Sequence, residues 1–291
     1  MCMGTIPKLV RILTTLVYIL FVFYLAFKNA YLISVYNLPK WLIPAIFFLS
    51  ILYICYKYIK LIIKEDKMEN KIISIINHTF RTPITSIIWH TKELENNLPQ
   101  NERLLYLQNI NNSTNKLLNT IDVLVGIKNI KNISGYSFKA VSIREIIEKS
   151  IKKYREQINK KGLAFQIPIF KDIPLLTVDL KKISFVVDTI IENAISYTGQ
   201  NGRIVIDCIS DSQKIIIYIS DTGIGLRTID KIMIFSKFYR SKKAKLMNTD
   251  GMGLRLYLSK QIIKRHHGKI YAKSNGRNEG TTFFIELPFV R

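Results

Sequence analysis

The sequence predicts two membrane-spanning helices, then a helical hairpin, then an α+β domain built as a sheet with helices on one face. Three observations carry that prediction. Two apolar runs lie near the start of the chain. Apolar residues then recur at steps of three and four through two consecutive segments. From Val141 onward, helix-period and strand-period segments alternate.

The apolar runs are "LVRILTTLVYILFVFYLAF" (Leu9 to Phe27) and "WLIPAIFFLSILYICYKYIKLII" (Trp41 to Ile63). Each is near the ~20 residues a helix needs to cross a bilayer. No small-residue cleavage site follows the first, and a second run arrives quickly, so two spans are preferred over a signal peptide. Lys8 precedes the first run and Arg11 falls at its start; Lys57, Lys60, Lys64 and Lys67 close and follow the second. That excess of flanking cations places both termini in the cytoplasm, with the Lys28–Lys40 turn outside a cell membrane. Residues 1–63 are therefore read as the membrane sensor region, and the turn is too short to fold as an external domain. Trp41 reads as an interfacial anchor.

The formal net charge is +22, which raises nucleic acid as a partner. The cations are spread through the chain, and neither a helix-turn-helix nor a zinc pattern accompanies them, so no nucleic-acid partner is predicted. Attraction to an anionic inner leaflet explains part of the excess. Cys2, Cys55 and Cys208 have no metal or redox spacing and read as free thiols of a reducing compartment.

The segment "NKIISIINHTFRTPITSIIWHTKEL" (Asn70 to Leu94) follows the membrane region. Ile73, Ile76, Phe80, Ile84 and Ile87 form its apolar stripe. His78 falls two residues from both Ile76 and Phe80, which points it away from the stripe, and Thr82 shares its outward face. Pro83 lacks an N–H and pushes on the carbonyl of Thr79, which predicts a bend beside His78. A second stripe runs through Leu104, Leu107, Ile110, Leu117, Ile121 and Leu124 after the turn "NNLPQNE". The pair reads as an antiparallel hairpin over 64–133. One hairpin cannot bury its own apolar face, so two copies are predicted to pair as a four-helix bundle, a homodimer. His90 reads as a surface or bundle-rim residue.

Residues 134–291 form the α+β domain. "SIREIIEKSIKKYREQINKKG" is amphipathic, and "DLKKISFVVDTIIENAISY" is a helix N-capped by Asp179. "GRIVIDCIS" and "KIIIYIS" read as a hairpin. "DTGIGL" (Asp221 to Leu226) follows a strand, with glycines that let backbone approach a ligand. "DGMGL" (Asp250 to Leu254) opens the last helix, where N–H groups suit phosphates. Asn193 sits mid-helix, unfavourable unless partnered, and Mg²⁺ is one partner it could take. His266 and His267 end the last helix, where cations complement its dipole and Gly268 caps it.

In this order the motifs resemble membrane-bound sensor histidine kinases of two-component systems, over essentially all of Lys64 to Arg291. "HTFRTP" resembles the phosphoacceptor box of the HisKA-like hairpin, "IIENAISYT" the Asn box, "DTGIGL" and "GMGL" the Gly boxes, and "IFSKFYR" (Ile234 to Arg240) the Phe box. The resemblance implies an α+β sandwich ATP-binding domain of the Bergerat or GHKL type. It implies ATP and Mg²⁺ as cofactors and autophosphorylation on His78, with transfer to an aspartate of a response-regulator partner. Asn193 would hold Mg²⁺ and Asp221 would read the adenine amine. Tyr197 would flank the nucleotide, Arg240 would contact phosphate, and Gly223, Gly225, Gly251, Gly253 and Leu254 would shape the pocket and its lid. Thr82 is the position the family ties to dephosphorylation of the partner. The short external turn is similar to the subgroup that senses a membrane lipid or membrane-protein signal.

Four departures stand beside the matches. The family usually has Glu or Asp after the histidine, where this chain has Thr79. The first Asn of the Asn box is Thr189, a phosphate-side Lys is Ser196, and the third Gly of the second Gly box is Arg255. They leave an alternative: a phosphatase-biased or kinase-deficient homologue that acts as an ATP-gated membrane scaffold.

Overall fold

The computed structural model describes residues 42–96, 99–128, 135–167, 173–247 and 251–289. The Leu9–Phe27 run lies outside them. The chain divides into two compact units, Met1–Ser74 and Ile75–Arg291.

Helix α1 (Leu42–Glu93) includes the described part of the second apolar run. Phe48, Leu49, Leu52, Tyr53, Tyr56 and Ile59 are exposed along it. Among the described residues no helix is long and apolar enough to cross a membrane. The side chains at 42–44, 46–47 and 61–72 are outside that description. The helix runs through Pro83 without interruption.

In the second unit, α1 is followed by α2 (Gln100–Lys128). Polar groups join the two helices: the Ser86 and Ser113 hydroxyls are 3.1 Å apart, and Asn109 Nδ2 lies 3.1 Å from His90 Nε2. His90 is half-buried, with its Nδ1 2.6 Å from the Ser86 carbonyl oxygen and Trp89 and Tyr106 edge-on to its ring. It is a tie within the hairpin rather than a rim residue. The two apolar stripes are incompletely covered: Ile73, Ile84, Leu104, Leu107 and Ile121 are exposed, as are Ile88, Leu118 and Val125.

The α+β part runs β1 (Phe138–Val141), α3 (Ile143–Lys160), β2 (Ala164–Gln166), β3 (Leu176–Asp179), α4 (Leu180–Tyr197), β4 (Arg203–Ser210), β5 (Lys214–Asp221), α5 (Thr228–Met233), α6 (Lys242–Met247), α7 (Arg255–Arg265), β6 (Lys269–Lys273) and β7 (Thr281–Pro288). The main sheet has the order β2-β4-β5-β7-β6; β1 and β3 form a separate antiparallel ribbon. Only the β2–β4 pair is parallel. Strict alternation along β5 and β7 sends one face into the core: Ile215, Ile217 and Ile219 from β5, and Phe283, Ile285 and Leu287 from β7. Helices α3, α4 and α7 cover that face with Ile146, Ile147, Ile183, Val187, Ile190, Ile262 and Ile263, all buried.

Asp179 caps α4 as the sequence predicts, accepting from the Lys182 N–H at 3.0 Å, and its other oxygen takes the Ser137 N–H at 2.9 Å. His266 corrects the sequence reading. It is buried at 3% exposure beneath Tyr136 and Phe138, with its pKa pushed down by burial. Nε2 accepts the Asp179 N–H at 3.0 Å while Nδ1 donates to the Ile262 carbonyl at 2.9 Å. A ring that accepts on one nitrogen and donates on the other is neutral. It therefore joins the end of α7 to the start of α4, rather than supplying a charge to the α7 dipole.

Candidate active site

Strand alternation places the first site residue. Continuing the buried phase of β5 past Ile219 brings Asp221 into the apolar layer, 7% exposed and opposite Thr281 of β7. Burial raises its pKa to about 6, against the lowering effect of the Gly223 and Thr281 N–H groups. The Gly223 N–H reaches Asp221 Oδ1 at 2.8 Å, which leaves acceptor capacity on the carboxyl.

Two adjoining cavities open from this point. The smaller, about 50 Å³, is lined by Asp221, Ile224, Gly225, Leu226, Thr281 and Phe283. The larger, about 410 Å³, is lined by Ser196, Tyr239, Arg240, Gly251, Gly253, Leu254 and Arg255. Asn193, Tyr197, Ala244 and Leu256 line both. The half-buried Asn193 side chain makes no hydrogen bond among the described residues. The far side of the larger cavity comes from the hairpin: Thr79, Thr82, Pro83, Ser86, Lys116 and Thr120. His78 is exposed and is not among the lining side chains.

The glycines are needed where backbone crosses backbone. Gly225 has φ +64°, and a Cβ there would sit 1.9 Å from the Gly276 carbonyl oxygen. Gly253 has φ +68°, and its Cβ would meet the Tyr239 carbonyl oxygen at 2.7 Å. The Gly253 carbonyl in turn accepts the Phe238 N–H at 2.9 Å, which ties the start of α7 to the Phe-containing turn. Arg240 spends its guanidinium here as well, donating to the carbonyls of Gly251 at 2.8 Å and Ala244 at 2.7 Å.

Beneath that turn lies an anchor the sequence reading did not single out. Asp230, 2% exposed, accepts from Arg227 Nε at 2.7 Å and Nη2 at 2.9 Å and from the Tyr239 hydroxyl at 2.5 Å. The Arg227 hydrogen bonds hold its pKa down at about 2. The i,i+3 spacing of Arg227 and Asp230 was the available signal. On the hairpin side, the Thr79 hydroxyl donates to the Ile75 carbonyl at 2.8 Å and the Thr82 hydroxyl to the His78 carbonyl at 3.4 Å.

Residues 178–291 match the family model described as histidine kinase-, DNA gyrase B- and HSP90-like ATPase. The chain is 29% identical over 228 residues to the sensor protein SrrB of Staphylococcus aureus, covering 77% of this chain and 38% of that protein. It is 28% identical over 237 residues to the adaptive-response sensory kinase SasA of Gloeothece citriformis, covering 78% and 60%. The chain thus spans less than two thirds of either relative. Among solved structures, histidine kinase ThkA in complex with response regulator protein TrrA aligns at TM-score 0.53 and 25% identity, over 74% of this chain and 60% of that one. Acinetobacter baumannii histidine kinase AdeS aligns at 0.56 and 21% identity, over 74% and 98%, a likeness of fold. The ATPase-type domain is thereby identified over residues 178–291, which line the smaller cavity and one side of the larger.

The position of Asp221 has a measurable consequence. The folded state holds its proton up to about pH 6, whereas an unfolded Asp releases it near the ordinary value of 3.8. Folding stability from this group therefore falls as pH rises from about 4 to about 6, by an amount on the order of 3 kcal/mol. Asp221→Asn should raise the melting temperature of the nucleotide-free protein at pH 7.5 and remove that pH dependence. A variant melting at or below wild type would show that the carboxylate is not under strain.

Proposed function

We propose that the chain is a sensor histidine kinase, which uses ATP to phosphorylate His78 and passes the phosphoryl group to an aspartate of a response regulator. The observation that carries this is the convergence of Asn193, Tyr197, Asp221 and the Gly251–Leu254 turn on adjoining cavities whose far wall is Thr79-Thr82-Pro83, beside His78. Asp221 suits an amine-bearing base, because its free acceptor sites lie in a small apolar cavity. The polyphosphate would occupy the larger cavity under Arg240 and the first turn of α7. Asn193 fits Mg²⁺ with the nucleotide phosphates: its amide is unclaimed, and no cluster of three or more acidic, His or Cys ligands exists among the described residues to hold the ion alone. The ion, when bound, neutralises charge on the transferring phosphoryl group. In the transfer the γ-phosphorus bond to ADP breaks as a bond to an imidazole nitrogen of His78 forms, and the ring loses a proton. The capture of ThkA with a response regulator supports a receiver domain as the acceptor.

One observation favours the alternative of a phosphatase-biased or kinase-deficient homologue. Thr79 stands where a proton-accepting carboxylate is expected, and its hydroxyl is donated to its own helix. A threonine takes no proton at neutral pH. General-base help contributes on the order of 10²–10⁴ in rate, so slow autophosphorylation is expected. With γ-labelled ATP, the full chain should acquire an acid-labile, base-stable label that His78→Gln abolishes and Thr79→Glu accelerates by on the order of 10². Label on the His78→Gln variant would end the kinase reading; equal rates for wild type and Thr79→Glu would clear Thr79 of the deficit. Asp221→Asn should weaken ATP binding in the same preparation.

We propose a homodimer, with the exposed Ile84, Leu104, Leu107 and Ile121 as the surface a second hairpin covers. Ile84→Lys would place an unpaired charge there, a cost of about 3–5 kcal/mol. Detergent-solubilised wild type should sediment as a dimer at micromolar concentration and the variant as a monomer. A monomeric wild type would exclude the bundle.

We propose further that the region before Lys64 is held in a cell membrane, since aromatic and aliphatic side chains from Phe48 to Ile59 stand exposed on α1, and the flanking lysines favour both termini in the cytoplasm. A cysteine at Asn37 should react with an impermeant thiol reagent in intact cells, after Cys2, Cys55 and Cys208 are replaced. Reaction at a site in the hairpin instead would reverse the topology.

A further inference from the structure

Among the described residues, the cations lining the larger cavity are Lys116, Arg240 and Arg255. Lys116 belongs to the hairpin, and Arg240 is committed to two backbone carbonyls of the lid. Arg255 differs in what it holds. Its Nη1 lies 2.7 Å from Glu192 Oε2, its Nε is 3.4 Å from the Thr189 hydroxyl, and its guanidinium sits over the Phe185 ring at 5.4 Å. Two departures noted in the sequence, Thr189 and Arg255, therefore touch each other, and the third, Ser196, lines the same cavity.

The pair is built to exchange. The side chains of Arg255 and Glu192 are 32% and 39% exposed, so solvent screens their attraction. A polyphosphate carries more charge than one carboxylate and presents the paired oxygens a guanidinium matches. Arg255 also opens α7 behind Leu254, which gives no side-chain cap to the first turn, and Leu254, Arg255 and Leu256 of that turn line the same cavity. Building on the kinase reading, we propose that Arg255 is the residue that receives the terminal phosphates of the nucleotide, exchanging Glu192 for them. The guanidinium supplies the positive charge absent at Ser196, and Glu192 occupies it while no nucleotide is bound, with the Tyr154 hydroxyl donating to the carboxylate at 3.2 Å.

The test is calorimetric binding of MgATP and AMP to the detergent-solubilised full chain. Wild type should prefer ATP over AMP. Arg255→Gln should lose about tenfold in ATP affinity, the equivalent of one charge-assisted contact, with AMP affinity unchanged. Arg255→Lys should recover part of the loss, and Glu192→Gln should bind ATP at least as tightly as wild type, because the competing carboxylate is gone. If ATP and AMP affinities fall together in Arg255→Gln, or neither falls, the residue is structural and the proposal is wrong. Glu192→Gln weakening ATP as much as Arg255→Gln would also overturn it, making the pair a brace. A folded wild type that binds neither nucleotide would remove the kinase reading along with this one.

Discussion

The ammonium of Lys161 lies against the C-terminal end of α4, donating to the carbonyls of Ile195, Ser196 and Thr198 at 2.7, 3.3 and 3.2 Å. Those carbonyls have no partner within the helix, and a cation among them also opposes the negative end of the dipole. Burial lowers the lysine pKa. At the other end Asp179 caps the first turn and is itself held by the neutral ring of His266. A helix fixed at both ends presents one face to the sheet and its last turns to the cavities. Asn193 and Tyr197 stand where they do because of that, and the Tyr197 carbonyl closes the arrangement by accepting the Ile224 N–H at 3.2 Å.

Asp221 shows the opposite balance. Helix α4 is stabilised by its polar contacts, whereas the ionised Asp221 carboxylate is opposed by the apolar layer that strand alternation imposes on it. The same layer makes the carboxylate a stronger acceptor for a ligand that brings its own donor, since water competes little there. Gly225 and Gly280 press the following loop against its neighbours: a Cβ on Gly280 would lie 2.0 Å from the Asp221 carbonyl oxygen. The loop thus encloses the carboxyl without a side chain filling the space a base would take.

What the sequence disclosed follows from where its physical signals are strong. The helical periods of α1 and α2, the Asp179 cap and the strand segments of β4 and β5 are signals spread over many residues, and the structure has those helices, that cap and those strands. The β1–β3 ribbon was illegible because its strands have four residues each and β1 buries only Val141. Helices α5 and α6 have six residues each, under two turns, too short to show a stripe. The order β2-β4-β5-β7-β6 is a non-local fact that no window of sequence contains. His266 misled because its helix-terminal position is real; what the chain did not reveal is that Tyr136 and Phe138, far upstream, fold over it. The site motifs were readable as residue types, while the Arg255–Glu192 contact needed two helices in place.

The departures from the family pattern are unequal once they are placed in space. Ser196 and Arg255 line one cavity, and the Arg255 guanidinium reaches the buried Thr189 hydroxyl behind it at 3.4 Å. In the proposed phosphate role of Arg255, a cation lost at one of these positions is replaced by one at another. Thr79 has no such companion on its own helix: its hydroxyl points back to Ile75, and its neighbours on the cavity wall, Thr82, Pro83 and Ser86, bring no carboxylate. The acid nearest in the lining is Glu192, on α4, and it is engaged by Arg255 and the Tyr154 hydroxyl. If His78 is the phosphoacceptor proposed above, removal of its proton is the step these surroundings support least. On the proposed kinase reading the limiting position is therefore on the hairpin, where His78 is exposed and lies outside the cavity lining.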